Sequence, residues 1–158
     1  MLGAEFRHRL AKGEYSVKGV GVYQFNPDDL PSPGNEQWRG WVRTQGKFAI
    51  NRRWTWGWDG TIVSDDTFGR EYDFDERTEV ANFIYLDGIH DRNYATVRAY
   101  NFKGLLQTDS QDTFPTAAPY FRHDYTFDVP VLGGELGLNT DIYSIFRDRS
   151  FVAYDTNP

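Results

Sequence analysis

From residue 54 to residue 62 the chain alternates strictly. Trp54, Trp56, Trp58, Gly60 and Ile62 are separated by Thr55, Gly57, Asp59 and Thr61. An extended strand sends successive side chains to opposite faces, so three indoles project from one side and small or polar groups from the other. The same period recurs over 38–48, where Trp38, Gly40, Val42 and Thr44 oppose Arg39, Arg43, Gln45 and Lys47. Alternation of this kind predicts strands over 3–10, 15–25, 38–48, 54–63, 79–87, 93–103, 120–127 and 135–147. No segment carries a convincing helical period. The expected fold is all-β, an antiparallel up-and-down meander of about eight strands.

The connections alternate in length. Short links fall around 11–14, 50–52, 88–92 and 128–134, and long polar ones span 26–37, 64–78 and 104–119. Residues 148–158 read as the start of a fourth long loop. In an antiparallel meander all the short turns then lie at one end and all the long loops at the other. Outer-membrane barrels segregate their loops in this way, and a tilted transmembrane strand needs about 9–11 residues. The chain is therefore read as part of a transmembrane β-barrel.

Composition agrees with strands. Aromatic residues make up 17% of the 158 residues while the hydrophobic fraction is only 39%, a bias toward strand formers and away from helix formers. The net charge is -6, and no basic surface for nucleic acid stands out. There are no cysteines, which removes disulfides and thiolate metal sites. No apolar run reaches the roughly 18–20 residues of a transmembrane helix. Residues 1–9 lack the apolar core of a signal peptide, so an exported chain is expected to be a mature segment.

The tryptophan ridge admits three readings: a sandwich core, a carbohydrate platform, or a lipid-facing wall. Loop segregation favours the third, with Trp54, Trp56, Trp58 and Ile62 toward lipid and Trp54 at the periplasmic aromatic girdle. Arg39, Arg43, Lys47 and Asp59 then face the lumen. Glu5, Arg7, Arg9, Arg98, Asp124 and Asp141 also lie in strand-like runs, as on a solvated sheet face or in a polar lumen. The acidic loop 64–76 does not match the ligand spacing of an EF-hand and reads as a solvated loop. His8, His90 and His123 are dispersed, so no metal site is expected. No nucleophile, phosphate-loop or dinucleotide pattern is present; neither a catalytic residue nor a cofactor is assigned.

Three segments carry a family resemblance: 3–15, 54–68 with its strand running into Ser64-Asp-Asp-Thr-Phe68, and 125–136 around Val129-Pro-Val-Leu-Gly-Gly134. In this order they resemble the LptD family of lipopolysaccharide-assembly proteins, the last segment its alphaproteobacterial branch. The resemblance implies a barrel of about 26 strands in the Gram-negative outer membrane, plugged by an LptE-type lipoprotein. It also implies that lipopolysaccharide arrives from a periplasmic Lpt bridge through a jellyroll domain and leaves into the outer leaflet. Residues 1–158 are then expected to be one segment of that barrel, without the jellyroll, the disulfide cysteines or the closing strands. The implied partners are lipopolysaccharide, outer-membrane lipids and the plug, and no covalent chemistry is implied. Two alternatives stay open: a soluble aromatic-rich carbohydrate-binding β-sandwich, and a small complete eight-stranded outer-membrane barrel.

Overall fold

A computed structural model describes residues 1–27, 34–73, 75–106, 109–130 and 132–147. Eight strands follow one another: β1 (Leu2–Leu10), β2 (Gly13–Tyr23), β3 (Trp38–Ala49), β4 (Trp54–Val63), β5 (Glu79–His90), β6 (Asn93–Gly104), β7 (Thr116–Thr126) and β8 (Gly137–Phe146). They form a single antiparallel sheet in sequence order. This is the meander that the alternation predicts. Eight strands in one sheet do not make the two stacked layers of a sandwich, so that alternative is set aside. In the strand order β1 and β8 are the two edges; among the described residues the pairing of first with last strand required by a small complete barrel is not formed.

The strand ends differ from expectation for local reasons. A two-residue turn joins β1 to β2, with Leu10 opposite Gly13. Another joins β5 to β6, with His90 opposite Asn93 and Asp91 at φ 53°. Gly88 suggests a turn but lies inside β5, paired with Trp54 at the end of the β4–β5 ladder. A Cβ there would stand 2.6 Å from the Trp54 ring, so this glycine serves packing. β7 starts at Thr116, four residues before the expected start, and its ladder shifts register between Ala117 and Tyr120. Pro119 sits in that irregularity, where its missing N–H costs no ladder bond.

Between β4 and β5 lies a four-residue helix, α1 (Phe68–Glu71). It belongs to the long acidic connection, which folds back against the sheet. Trp41, Val63, Phe68, Val80 and Leu105 form a buried cluster there, at the long-connection end. The expectation of a solvated acidic loop is corrected: Asp65 and Asp75 are both buried. The fourth long loop expected over 148–158 lies outside the described residues.

Candidate functional site

The registers sort the strands into two faces. Cross-strand partners share a face, so Trp54 lies with Gly88, Trp56 with Phe48 and Leu86, Trp58 with Gly46 and Ile84, and Ile62 with Val42. Extending the rows adds Leu2, Phe6 and Leu10 on β1, Val17 and Tyr23 on β2, Val97 on β6, and Leu138 and Ile142 on β8. Every one of these eight added side chains is exposed. Ile62 is 73% exposed and Trp38, in the same rows, 72%.

The indoles lie nearly flat on this outer face because two glycines leave room. A Cβ on Gly46 would overlap the Trp58 ring and one on Gly88 the Trp54 ring. Phe48 stacks on Trp56 at 5.4 Å and on Trp58 at 5.8 Å between centroids. The one polar atom of Trp58, Nε1, donates to Thr44 Oγ1 at 3.0 Å, so the half-buried ring leaves no unsatisfied donor on the apolar face.

Across the sheet, the other face carries the charges. One row runs Glu5, Lys18, Arg43, Thr61 and the next Arg7, Ser16, Gln45, Asp59. A third runs Arg9, Glu14, Lys47, Gly57 and on to Tyr85. On β6 to β8, Thr96, Arg122 and Asp141 share a row, as do Tyr94, Asp124 and Asn139. Much of this face pairs internally. Arg43 donates to both oxygens of Asp59 at 3.1 and 2.7 Å, and Arg122 donates to Asp124 at 3.0 Å.

The four inner residues singled out by sequence have different surroundings. Arg43 and Asp59 form the pair just described. Lys47 is exposed and, among the described residues, makes no ion pair. Arg39 shares their side of β3 by parity, but its side chain is 0% exposed. It forks onto Asp65, Nε to Oδ2 at 2.9 Å and Nη2 to Oδ1 at 2.8 Å. It also donates to Glu71 at 2.7 Å and Thr67 at 3.0 Å, with Phe68 and Tyr72 against its guanidinium. Arg39 thus holds the loop that covers it.

A second clasp lies beside the first. Trp41 Nε1 donates to Asp75 Oδ2 at 2.9 Å, and Arg77 donates to both Asp75 oxygens at 2.8 and 2.7 Å. Burial alone would raise the Asp65 carboxyl, but hydrogen bonds from Arg39, Thr67 and Ser64 and the Arg39 charge hold it at about 2. The Arg77 hydrogen bond holds Asp75 below the usual carboxylate range against burial, with Trp41 adding to it. Sequence reasoning missed both clasps. Its one available signal was Trp41, a large aromatic on the charged side of β3, which marks where that side is covered.

Among the described residues no group of three His, Cys, Asp or Glu is placed to hold a metal ion. What distinguishes the molecule is a sheet with a broad apolar face exposed and a charged face partly roofed by its own loop. A family model described as LPS transport system D, LptD, matches residues 37–156. The chain belongs to the LptD family. The match takes in β3 to β8, the tryptophan ridge and both clasps. It includes the resembling segments 54–68 and 125–136; segment 3–15 lies before it. Membership of the LptD family ties the chain to lipopolysaccharide transport and assembly. No curated protein matches the chain.

Proposed function

We propose that residues 1–158 are one segment of the wall of an outer-membrane barrel that delivers lipopolysaccharide to the outer leaflet of a Gram-negative cell. The observation that carries this reading is the height of the apolar face between its aromatic rims. At the long-connection end, Tyr23 packs on Trp38 and Phe25. At the short-turn end stand Tyr15, Phe48, Trp54 and Trp56. Trp38 and Phe48 are ten residues apart on β3, which spans about 34 Å along the strand at about 3.4 Å per residue. A tilt of about 45° reduces this to about 24 Å, close to the apolar band of about 25 Å between the girdles of outer-membrane barrels.

In this reading Trp54, Trp56, Trp58 and Ile62 meet lipid, with Trp54 near the periplasmic interface. Arg43, Lys47 and Asp59 border the lumen, and Arg39 secures the roof over its outer end. Lipid leaves no water to satisfy edge N–H and C=O groups, so β1 and β8 pair with neighbouring strands of the same barrel. A plug lipoprotein of the LptE type and a periplasmic Lpt bridge acting through a jellyroll domain are the proposed partners. The work is physical: an apolar exterior matched to the bilayer and a polar interior beside which an amphipathic glycolipid passes. No bond is made or broken in it.

Membrane fractionation of a Trp56→Asp variant tests the assignment. The variant is expected to be lost from the outer membrane and degraded, while the parent protein remains there. Equal recovery of the two in the outer membrane contradicts the placement.

A further inference from the structure

The inner face of β1 to β4 holds an open trough that the wall role does not explain. Two adjoining cavities share Arg7, Ser16 and Gln45; the one nearer the short turns has a volume of about 510 Å³. Their linings contain the cations Arg7, Arg9, Lys18, Arg43, Lys47 and Arg77 against the four carboxylates of Glu5, Glu14, Asp59 and Asp75. The trough is thus cationic within a chain of net charge -6.

The arrangement of the charges is more informative than their sum. Lys18 stands directly opposite Arg43 across the β2–β3 ladder. Like charges in facing positions destabilise a sheet, and the neighbouring carboxylates Glu5 and Asp59 offset that cost only from the flanking positions. Arg43 is gripped by both oxygens of Asp59 yet its side chain stays 40% exposed, so it is still open to a second acceptor. Among the described residues Lys18 makes no ion pair, although Glu5 faces it on β1 and its Nζ lies 5.9 Å from the Trp41 ring. Arg7 lies diagonal to Lys18, in the next row, where its Nε donates to Glu5 and its side chain remains 78% exposed. An anion seated between them would turn the repulsion into binding. Arginine supplies paired N–H donors and lysine a mobile point charge, the usual donor set for phosphate.

We infer that Lys18 and Arg43, flanked by Arg7, form an anion station on the inner face that takes a phosphate group, in the protein's setting a phosphate carried on a glycolipid headgroup. The inference rests on the inner face lining the lumen of the proposed barrel. The station lies between the open short-turn end and the Asp75–Arg77 clasp, so it holds the headgroup before the roofed section is reached.

The test uses the protein as its own cells make it, extracted in mild detergent, with three probes: a phosphorylated glycolipid, the same glycolipid enzymatically dephosphorylated, and inorganic phosphate. The parent protein is expected to bind the phosphorylated form about tenfold more tightly than the dephosphorylated one. A Lys18→Gln, Arg43→Gln double variant should lose that preference and Lys18→Arg should keep it. Competition by inorganic phosphate shows that the anion alone is recognised; its failure to compete shows that the lipid-borne group is needed. A photo-reactive residue at position 16 provides a readout without removing either cation, and its adduct should fall about tenfold on dephosphorylation. An unchanged adduct, or a double variant that keeps the preference, overturns the station. If the protein proves not to be membrane-inserted at all, the barrel reading fails and the station with it. Insertion without phosphate preference defeats the station alone.

Discussion

The two faces of the sheet differ in what completes them. On the inner face charged groups find partners within the chain: Asp59 for Arg43, Asp65 and Glu71 for Arg39, Asp75 for Arg77. On the outer face Leu2, Phe6, Trp38, Ile62, Ile84 and Ile142 stand exposed despite their neighbours on the sheet. Water would penalise that apolar surface by roughly 25 cal/mol for each Å² left uncovered. The difference teaches that much of the inner face is completed by folding, with an open cationic trough left over β1 to β4, whereas the outer face is completed by its surroundings, which in the LptD family reading is the acyl region of a bilayer.

The largest expected effect lies on the inner face. Arg39→Met leaves Asp65 buried without its cation, and removal of one member of a buried pair costs about 3–5 kcal/mol. Chemical or thermal unfolding should show that loss, together with protease cleavage within 64–78. A stability unchanged within error would mean that the roof is not held by this clasp. On the outer face Ile62→Lys places a charge near mid-height, which costs about 2–4 kcal/mol in a bilayer. The same exposed substitution in water is worth about 0.5 kcal/mol or less. Folding yield into lipid vesicles, set against the stability of the same variant in detergent-free buffer, separates the two environments.

Acid probes the inner face more gently. The folded carboxyl of Asp65 is depressed from 3.8 to about 2, so its contribution is complete above about pH 4. It disappears as the pH falls through about 2, and amounts to on the order of 2 kcal/mol. The gap between the melting temperatures of the parent and Asp65→Asn should persist at neutral pH and close between about pH 4 and pH 2. A gap that persists at pH 2 contradicts the assignment. The smallest effect belongs to Lys47→Gln. This exposed cation should change stability by less than about 0.5 kcal/mol, in contrast to Arg39 eight residues earlier on the same strand.

The meander, the strand centres and the alternation of the first six connections were legible because each depends on local alternation and turn chemistry. The seventh connection, expected to be short, spans ten residues (127–136) against eleven for 105–115. The sides of β3 and β4 were legible for the same reason. The roof was not. Asp65 and Asp75 look like solvated loop carboxylates until the long connection folds back over Arg39 and Trp41, a tertiary event without a periodic signature. Gly88 misled in the opposite direction, since a glycine that makes room for Trp54 reads in sequence like one that makes a turn. The facing of Lys18 by Arg43 depends on register across the β2–β3 pair, which the alternation of either strand leaves open.

The central claim is that β4 separates lipid from an aqueous interior. The chain has no cysteines, so nitroxide labels can be attached singly at positions 55, 56, 58, 59 and 62 in the membrane-assembled protein. Relaxation by dissolved oxygen, which concentrates in lipid, is then compared with relaxation by a water-soluble paramagnetic complex. The account predicts alternation: positions 56, 58 and 62 are relaxed by oxygen, and 55 and 59 by the aqueous reagent. Equal exposure of both sets to the aqueous reagent would contradict it.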